Sequence, residues 1–352
     1  MFAVATWGVA LFLSAVLLIG WVVYVAINVF GKRSHREVGA ELELAANRKP
    51  YYDDEQLEGP RLERVQLFGL LTLAVIVIAL PLYWLFEPSR QAGAREKGSA
   101  QLAKWGSELF ATTAQGGFNC AGCHGGMKAT GGAAPYTITD KTTGAVRSVT
   151  WNAPALNTVL YRFSEDEVRY ILVYGRQFSP MSPWGIAGGG PMNDQQIDSV
   201  IAYLRSIQLP AEECPGGVNL CDGGRLPKEK QDEIQKAIDA ALADGSAKSE
   251  GEAIFNLTLD SGAYSCARCH TNGWSYGNPL VSGGGALGPN LTAGAEVRQF
   301  PNTEDNLSFV QAPPEQGKKY GQQGQSTGRM PAFGSYYNAE QLAALITYIR
   351  SL

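Results

Sequence analysis

Two long apolar stretches dominate the N-terminal part of the chain. Residues 2–30 and residues 65–86 contain no charged side chain. A helix over residues 65–86 would be about 33 Å long at ~1.5 Å per residue, enough to cross a hydrocarbon core of about 30 Å. Tryptophan and tyrosine lie near the ends of both stretches, as is typical of a lipid–water interface. The pattern predicts transmembrane helices within residues 1–30 and 65–86.

The segment between these predicted helices, residues 31–64, is rich in basic side chains. They include Lys32, Arg33, Arg36 and Arg48. Because basic loops stay on the cytoplasmic side, we expect this loop in the cytoplasm. The N terminus and everything after residue 86 would then lie outside the cytoplasm. A cleaved signal peptide over the first stretch is the alternative, but the chain has no basic region before that stretch.

Beyond residue 86 the same series of features occurs twice. Each series has a Cys-x-x-Cys-His motif, a proline-containing loop, a methionine followed closely by proline, and an amphipathic closing helix. The first series comprises Cys120, Cys123, His124, Pro154, Met181 and the helix after Asn193, and the second comprises Cys266, Cys269, His270, Pro289, Met330 and the helix after Asn338. This repetition indicates a duplicated module. We assign the modules to residues 87–210 and 251–352, with an interdomain segment over residues 211–250.

Both closing helices carry the same N-terminal signature. Asn193 precedes Gln196, and Asn338 precedes Gln341, at the spacing of a capping box. Apolar residues follow at helical spacing in both copies. They are Ile197, Val200, Ile201 and Leu204 in the first copy, and Leu342, Leu345, Ile346 and Ile349 in the second. The loops between the helices are rich in glycine and proline and give few strand signals.

Composition narrows the classes of function. The chain has 352 residues, of which 45% are hydrophobic and 18% are charged, and this excludes an intrinsically disordered chain. The formal net charge of −4 gives no electrostatic support for a nucleic-acid partner. With three histidines in the chain, mechanisms that need several imidazoles are excluded.

The Cys-x-x-Cys-His motif is the attachment signature for c-type haem. Its two thiols form thioether bonds to the porphyrin, and its histidine is a ligand to the iron. We therefore expect two covalently bound haem c groups. The first would be held by Cys120, Cys123 and His124, and the second by Cys266, Cys269 and His270. A redox dithiol would not need the histidine, and a zinc site would lack a fourth ligand nearby.

The second axial ligand of each iron follows by elimination. The third histidine, His35, lies in the predicted cytoplasmic loop, so methionine is the expected ligand. Its thioether suits haem iron and raises the reduction potential. Met330 is the only methionine of the second module. In the first module we favour Met181, which has a similar spacing from the motif; Met192 is the alternative, although its place before the closing helix favours packing.

The prolines and the two remaining cysteines are expected to have supporting roles. Pro154 and Pro289 would each offer a backbone carbonyl to the Nδ1–H of the motif histidine. Proline lacks an N–H and has a fixed φ, so it would stiffen this contact, although an ordinary turn proline is the alternative. Cys214 and Cys221 would lie in an oxidising compartment, where a disulfide is expected and two free thiols are the alternative.

The interdomain segment carries one more helical pattern. Over residues 227–244, Ile234 and Ile238 share one face of a predicted short helix.

At the residues of these repeated motifs, the outer region resembles tandem class I cytochrome c domains. Two hairpin helices followed by two haem modules are similar to the dihaem subunit of cbb3-type oxidases. They are also similar to the dihaem cytochrome c subunit of actinobacterial menaquinol:cytochrome c reductases. The interdomain segment and a glycine-rich insertion after Met181 depart from the pattern. The implied fold is mainly α, with a two-helix transmembrane hairpin followed by two all-α cytochrome c domains.

The resemblance implies electron transfer in a respiratory chain, within a quinol:cytochrome c reductase or a terminal oxidase. Both irons would have two axial ligands, so we expect no independent catalytic site. Expected partners are membrane lipid, other subunits of the complex, and a soluble cytochrome or copper carrier. A dihaem enzyme such as a peroxidase is the alternative, and it would need an iron that opens beside an acid–base group. A haem-based sensor is a third reading, but the cytoplasmic loop shows no signalling domain.

Overall fold

The computed structural model describes residues 12–13, 15–24, 26–27, 59–140, 143–177, 179–211 and 225–352. The chain divides into two units, Met1–Gly98 and Ser99–Leu352. Most of the predicted cytoplasmic loop, including His35, lies outside the described residues, as does the predicted disulfide between Cys214 and Cys221.

The first unit contains the two apolar stretches. The first stretch includes a short apolar helix, Ala15–Tyr24. The second stretch lies in the long helix α1, Pro60–Phe110. Its apolar side chains face outward, as Leu70 and Trp84 show at 67% and 72% exposure. Among the described residues, this is the one helix that is long and apolar enough to cross a membrane.

Helix α1 extends well past residue 86, where the sequence predicts that the membrane segment ends. Charged residues begin there, and Arg90 Nε donates to Glu87 Oε2 at 2.6 Å along the helix surface. Such pairs at i and i+3 support a helix, so the change from apolar to charged residues ends the apolar stretch without ending the helix. Pro81 and Pro88 both lie inside α1.

Elsewhere in the first unit, the ring of Tyr24 stacks on the ring of Phe68, with the ring centroids 5.3 Å apart.

The first module begins with the last part of α1, and its other elements follow that helix. These elements are α2 (Cys120–His124), β1 (Gly132–Thr139), β2 (Val146–Ala153), α3 (Glu165–Tyr174) and α4 (Asp194–Ser206). The last turn of α1 crosses the closing helix α4, and the rings of Phe110 and Tyr203 meet there at 5.2 Å. The apolar face of α4 is buried in the core of this module, as its sequence pattern predicts.

The second part of the chain has more helices and strands than the first module among the described residues. Its helices and strands are α5 (Lys228–Ala243), α6 (Glu250–Phe255), α7 (Leu259–Gly262), α8 (Ala267–His270), α9 (Ala295–Gln299), α10 (Thr303–Gln311), β3 (Lys319–Tyr320), β4 (Gly324–Gln325) and α11 (Ala339–Ser351). Helix α6 crosses the closing helix α11, where the rings of Phe255 and Tyr348 lie 5.4 Å apart. Helix α5 buries Ile234 and Ile238 completely in the same core. The predicted interdomain helix therefore packs as part of the second module.

A glycine allows the closest approach of the helices in each module. A Cβ added at Gly106 would overlap the carbonyl oxygen of Ser199, and one added at Gly251 would overlap that of Ala344. Each glycine lies one turn before the aromatic residue of the helix crossing. Since no other residue lacks a Cβ, glycine is required where these two backbones meet.

The prediction of all-α domains differs from the structure. Between α2 and α3 the first module forms an antiparallel hairpin, in which Tyr136 pairs with Val149. Both strands contain β-branched residues, and their residues alternate in exposure, as is typical of strands. Sequence analysis did not predict them because the surrounding residues are rich in glycine, which is not typical of strands. The hairpin reaches the second module, where Trp151 lies 5.4 Å from Tyr276. The second module adds the two-residue strands β3 and β4.

Candidate haem sites

The first Cys-x-x-Cys-His motif forms one short helix, α2. Asn119 precedes it with a φ of 67°, and Gly125 ends it with a φ of 85°, so left-handed residues bound the motif on both sides. Burial raises the pKa of the Cys120 thiol to about 11 and also raises the pKa of Cys123. Both groups are therefore neutral thiols at pH 7.

The second motif has a related but distinct local structure. Cys266 comes directly before α8 and is buried, and burial raises the pKa of its thiol to about 12. Reactive dithiols and zinc-bound cysteines depend on stabilised thiolates, that is, on a lowered thiol pKa, whereas burial raises the pKa here. Within the described parts of the chain, no group of three or more Cys, His, Asp or Glu could hold a metal ion. The burial of Cys120, Cys123 and Cys266 thus disfavours a redox dithiol.

Each motif histidine is oriented by a proline carbonyl. His124 Nδ1 lies 2.9 Å from the carbonyl oxygen of Pro154, and His270 Nδ1 lies 2.9 Å from that of Pro289. Both hydrogen bonds match the sequence prediction. Because a carbonyl only accepts, the geometry assigns the proton to Nδ1 and leaves the Nε2 lone pair available to a metal.

Burial keeps both imidazoles neutral. It lowers the pKa of His124 to about 4, against the opposing effect of the Pro154 hydrogen bond. Burial also lowers the pKa of His270. A neutral imidazole with a fixed Nδ1–H is the form that ligates iron, so the two side chains fit that role without prior loss of a proton.

The second histidine is approached closely by a glycine. A Cβ added to Gly288 would lie 2.7 Å from Cε1 of His270. Glycine therefore lets the loop backbone run against the imidazole ring and deliver the Pro289 carbonyl. The sequence reading singled out the proline of this loop and missed the glycine before it.

The methionines differ in their surroundings. Met181 and Met330 are half-buried and lie against the cores of the first and second modules. Met192 is 1% exposed and is enclosed in the core of the first module, which agrees with the packing role expected for it. Met127 is 37% exposed, and its carbonyl accepts a hydrogen bond from the Tyr203 hydroxyl.

The donor set at each motif fits a covalently bound haem. It combines two thiols for thioether bonds, an imidazole fixed for ligation through Nε2, and a partly buried thioether further along the same module. Three arginine side chains also lie near the motifs, and one of them, Arg162, is buried with an Nε that has no hydrogen-bond partner among the described residues. Sequence reasoning missed these arginines, because their significance depends on contacts between the two modules.

Comparison with known families agrees with this donor chemistry. Residues 103–208 match the family model for cytochrome c. This segment is therefore similar to cytochrome c, a class of protein that carries covalently bound haem c and transfers electrons. Residues 247–349 match the model for subunit III of cbb3-type cytochrome c oxidase, so the second domain is similar to that subunit. Neither the curated proteins nor the solved structures contain a match to the chain.

These matches support electron transfer in a respiratory oxidase, together with other subunits of such a complex. The long apolar helix supports association with a membrane.

Proposed function

We propose that this chain is a membrane-anchored dihaem cytochrome c that passes electrons as a subunit of a cbb3-type or related respiratory complex. The observation that carries this proposal is the repeated arrangement of a thiol pair with an imidazole held by a proline carbonyl at 2.9 Å. It occurs once in each segment that matches a family of haem-containing electron carriers.

Each module would hold one haem c, which supplies one-electron chemistry when it is bound. The residues assigned to the first haem are Cys120, Cys123, His124 and Met181, and those assigned to the second are Cys266, Cys269, His270 and Met330. The thiols would form the thioether bonds, the proline carbonyl fixes the imidazole plane, and the methionine thioether would be the second ligand to the iron. Held in this way, the ligands would stay in place in both oxidation states, so little reorganisation would accompany electron transfer.

The apolar segments would form a membrane hairpin, with both haem modules on the extracytoplasmic side. The outward-facing apolar surface of α1 and the stacking of Tyr24 on Phe68 support a two-helix anchor. The basic loop between the segments supports the orientation. Anchored in this way, the modules would contact lipid, the other subunits of the complex, and a soluble cytochrome or copper carrier.

The haem assignment is tested by counting covalent haem on the purified, detergent-solubilised full chain. We expect two haem c groups per chain by denatured haem absorbance and intact mass. The double variants Cys120→Ala/Cys123→Ala and Cys266→Ala/Cys269→Ala should each lose one haem. The matched control, Cys214→Ala/Cys221→Ala, removes the other cysteine pair and should keep both. A wild-type chain without thioether-linked haem would overturn the proposal.

Carbon monoxide binding separates the proposed role from a dihaem enzyme. If both irons carry two protein ligands, the reduced chain should bind no carbon monoxide and should not turn over peroxide. Binding at one haem, with peroxide turnover, would instead favour the enzyme. Epitope tags placed at the N terminus, in residues 31–64 and at the C terminus test the orientation, with protection from added protease expected for the middle tag alone.

A further inference from the structure

Three arginine side chains converge where the two modules meet. Arg162 Nη1 donates to the carbonyl of Ala263 in the second module at 3.3 Å, while Arg268 Nε donates to the neighbouring carbonyl of Gly262 at 3.1 Å. The two guanidinium groups therefore bind consecutive peptide carbonyls. Arg176 joins them through a shared ring, because Arg162 and Arg176 lie 5.9 and 5.5 Å from the centre of Phe163. We refer to Arg162, Arg176 and Arg268 as the arginine cluster.

The cluster has positive charge without a matching negative charge. Among the residues that the structure describes, none of the three arginines forms an ion pair. Burial lowers the pKa of Arg176, and the charge of Glu167 opposes this, but Glu167 already accepts hydrogen bonds from the amide and hydroxyl of Ser164, at 2.9 and 3.2 Å. The backbone carbonyls satisfy some N–H groups but supply no formal charge.

Two polar atoms at this place are buried and lack a hydrogen-bond partner. Arg162 is 5% exposed, and its Nε has none within the described chain. The hydroxyl of Tyr336, a residue 1% exposed, has none either. The charge of Arg162 acts on that hydroxyl, opposing the large rise in pKa that burial causes. Leaving such donors unpaired is costly, so the site is built to receive an acceptor that carries negative charge.

The cluster is close to both haem motifs. In the first module, Arg162 Nη2 donates to the carbonyl of Ala155, which directly follows Pro154, whose carbonyl holds His124. In the second module, Arg268 lies inside the motif itself, directly before Cys269.

We propose that the arginine cluster binds the carboxylate side groups of the haems and couples the two haem sites electrostatically. The inference rests on the proposed function, since haem c brings carboxylates that take no part in thioether attachment. Arg162 comes from the first module and Arg268 from the motif of the second, so each haem would feel a charge from the other module. The forked guanidinium suits a carboxylate, which accepts two parallel hydrogen bonds.

Reduction potentials test this coupling, because positive charge near an iron favours the ferrous state. Redox titration of the detergent-solubilised full chain should resolve two steps, one for each haem. The Cys266→Ala/Cys269→Ala variant should keep only the first haem, so the step that remains in it is the step of the first module. Arg268→Gln should lower the potential of the first-module haem although it alters the second module. We expect a change of about tenfold in its ferrous-to-ferric ratio, or about 59 mV for one electron. Arg162→Gln should lower both potentials, and Arg162→Lys should recover most of the loss.

The matched control is Arg205→Gln, which removes an equal charge from an exposed ion pair with Glu165 in the first module. If Arg162→Gln and Arg268→Gln shift the potentials no more than this control while both haems remain attached, the proposal is wrong. If Arg162→Gln loses haem or folds poorly, Arg176→Gln takes its place in the test, and its shift in reduction potential is compared with that of Arg205→Gln. The side chain of Arg176 makes no hydrogen bond among the described residues, so its loss should not disturb the backbone.

A free anion is the other source of negative charge, and it gives a different result. If wild-type potentials depend on phosphate or chloride concentration at constant ionic strength, and Arg162→Gln abolishes that dependence, the cluster binds a free anion and the assignment to haem is overturned. Independence from both anions, together with the cross-module shift, supports the haem carboxylates. A chain without covalent haem would contradict the proposed function, whereas two normal haems with no shift would contradict this inference alone.

Discussion

The carbonyl oxygen of Pro289 lies 2.9 Å from Nδ1 of His270. The same distance separates the equivalent pair in the first module, Pro154 and His124. A hydrogen bond of this length fixes both the tautomer and the plane of an imidazole, and outer partners of this kind tune the ligand that they hold. The loop that carries the proline is therefore as much a part of each candidate site as the motif itself.

Gly288→Ala should disturb the second site, because the new Cβ would lie 2.7 Å from Cε1 of His270. The imidazole or the loop must move, and we expect the second haem to become partly high-spin and to bind carbon monoxide. Overpacking of this kind also destabilises a fold by about 1–3 kcal/mol. Absorbance and carbon monoxide titration of the reduced chain measure the effect. Pro289→Ala is the control, since it keeps the carbonyl and should change the spectrum little.

Met330→Ala should lower the reduction potential of the second haem and open its iron to carbon monoxide, because it removes a thioether ligand that raises the potential. Met181→Ala should do the same in the first module. Met192→Leu tests the alternative ligand with a side chain of similar volume, and it should leave both potentials unchanged. A potential shift in Met192→Leu but not in Met181→Ala would mean that the first-module assignment is wrong.

The features that sequence reasoning predicted well are those with local signatures. Asn193 and Gln196 form the reciprocal hydrogen bonds of a capping box at 2.9 and 3.0 Å, and Asn338 and Gln341 do so at the same distances. A cap depends on residues three positions apart, so the sequence contains the whole interaction. The proline carbonyls were predictable for a related reason, since the duplicated order of motif and loop indicates which proline serves each histidine.

The features that it missed depend on contacts between distant segments. The requirement for Gly251 exists because of the carbonyl of Ala344, and Arg162 becomes significant through its bond to Ala263. Helix α5 has an ordinary amphipathic pattern, which does not predict whether Ile234 packs in the core of the first or of the second module. The hairpin of the first module was overlooked because its strands lie in a region rich in glycine and threonine. Tertiary contacts decide each of these features.

Gly251→Ala should weaken the second module, because the added Cβ would overlap the Ala344 carbonyl where α6 crosses α11. Separating the helices also loosens the contact between Phe255 and Tyr348. We expect a loss of about 1–3 kcal/mol in stability and a lower midpoint of thermal unfolding by circular dichroism in detergent. Gly98→Ala is the control, and it should raise the stability. Its added Cβ meets nothing within 4 Å, and alanine favours the helix by about 0.5–1 kcal/mol relative to glycine. Equal stability of both variants would contradict the close crossing.

Glu296 on helix α9 should make the stability of the second module depend on pH. Burial raises the pKa of Glu296, although Asn306 Nδ2 donates to its Oε2 at 3.0 Å and the charge of Arg350 opposes the rise. The folded chain therefore binds this proton more tightly than the unfolded chain. The stabilisation that comes from protonated Glu296 is fully present below the unfolded pKa of about 4.3. It is lost as the pH rises through the folded pKa.

Glu296→Gln isolates this effect, since glutamine keeps an oxygen acceptor for Asn306 and does not titrate. Relative to this variant, the wild type should lose stability as the pH rises from the unfolded pKa of about 4.3 through the raised folded pKa. Thermal unfolding of both proteins across that range measures the difference. A difference that stays constant with pH would mean that the carboxyl titrates alike in the folded and unfolded chains. A difference of opposite slope would mean that the attraction of Arg350 exceeds the effect of burial.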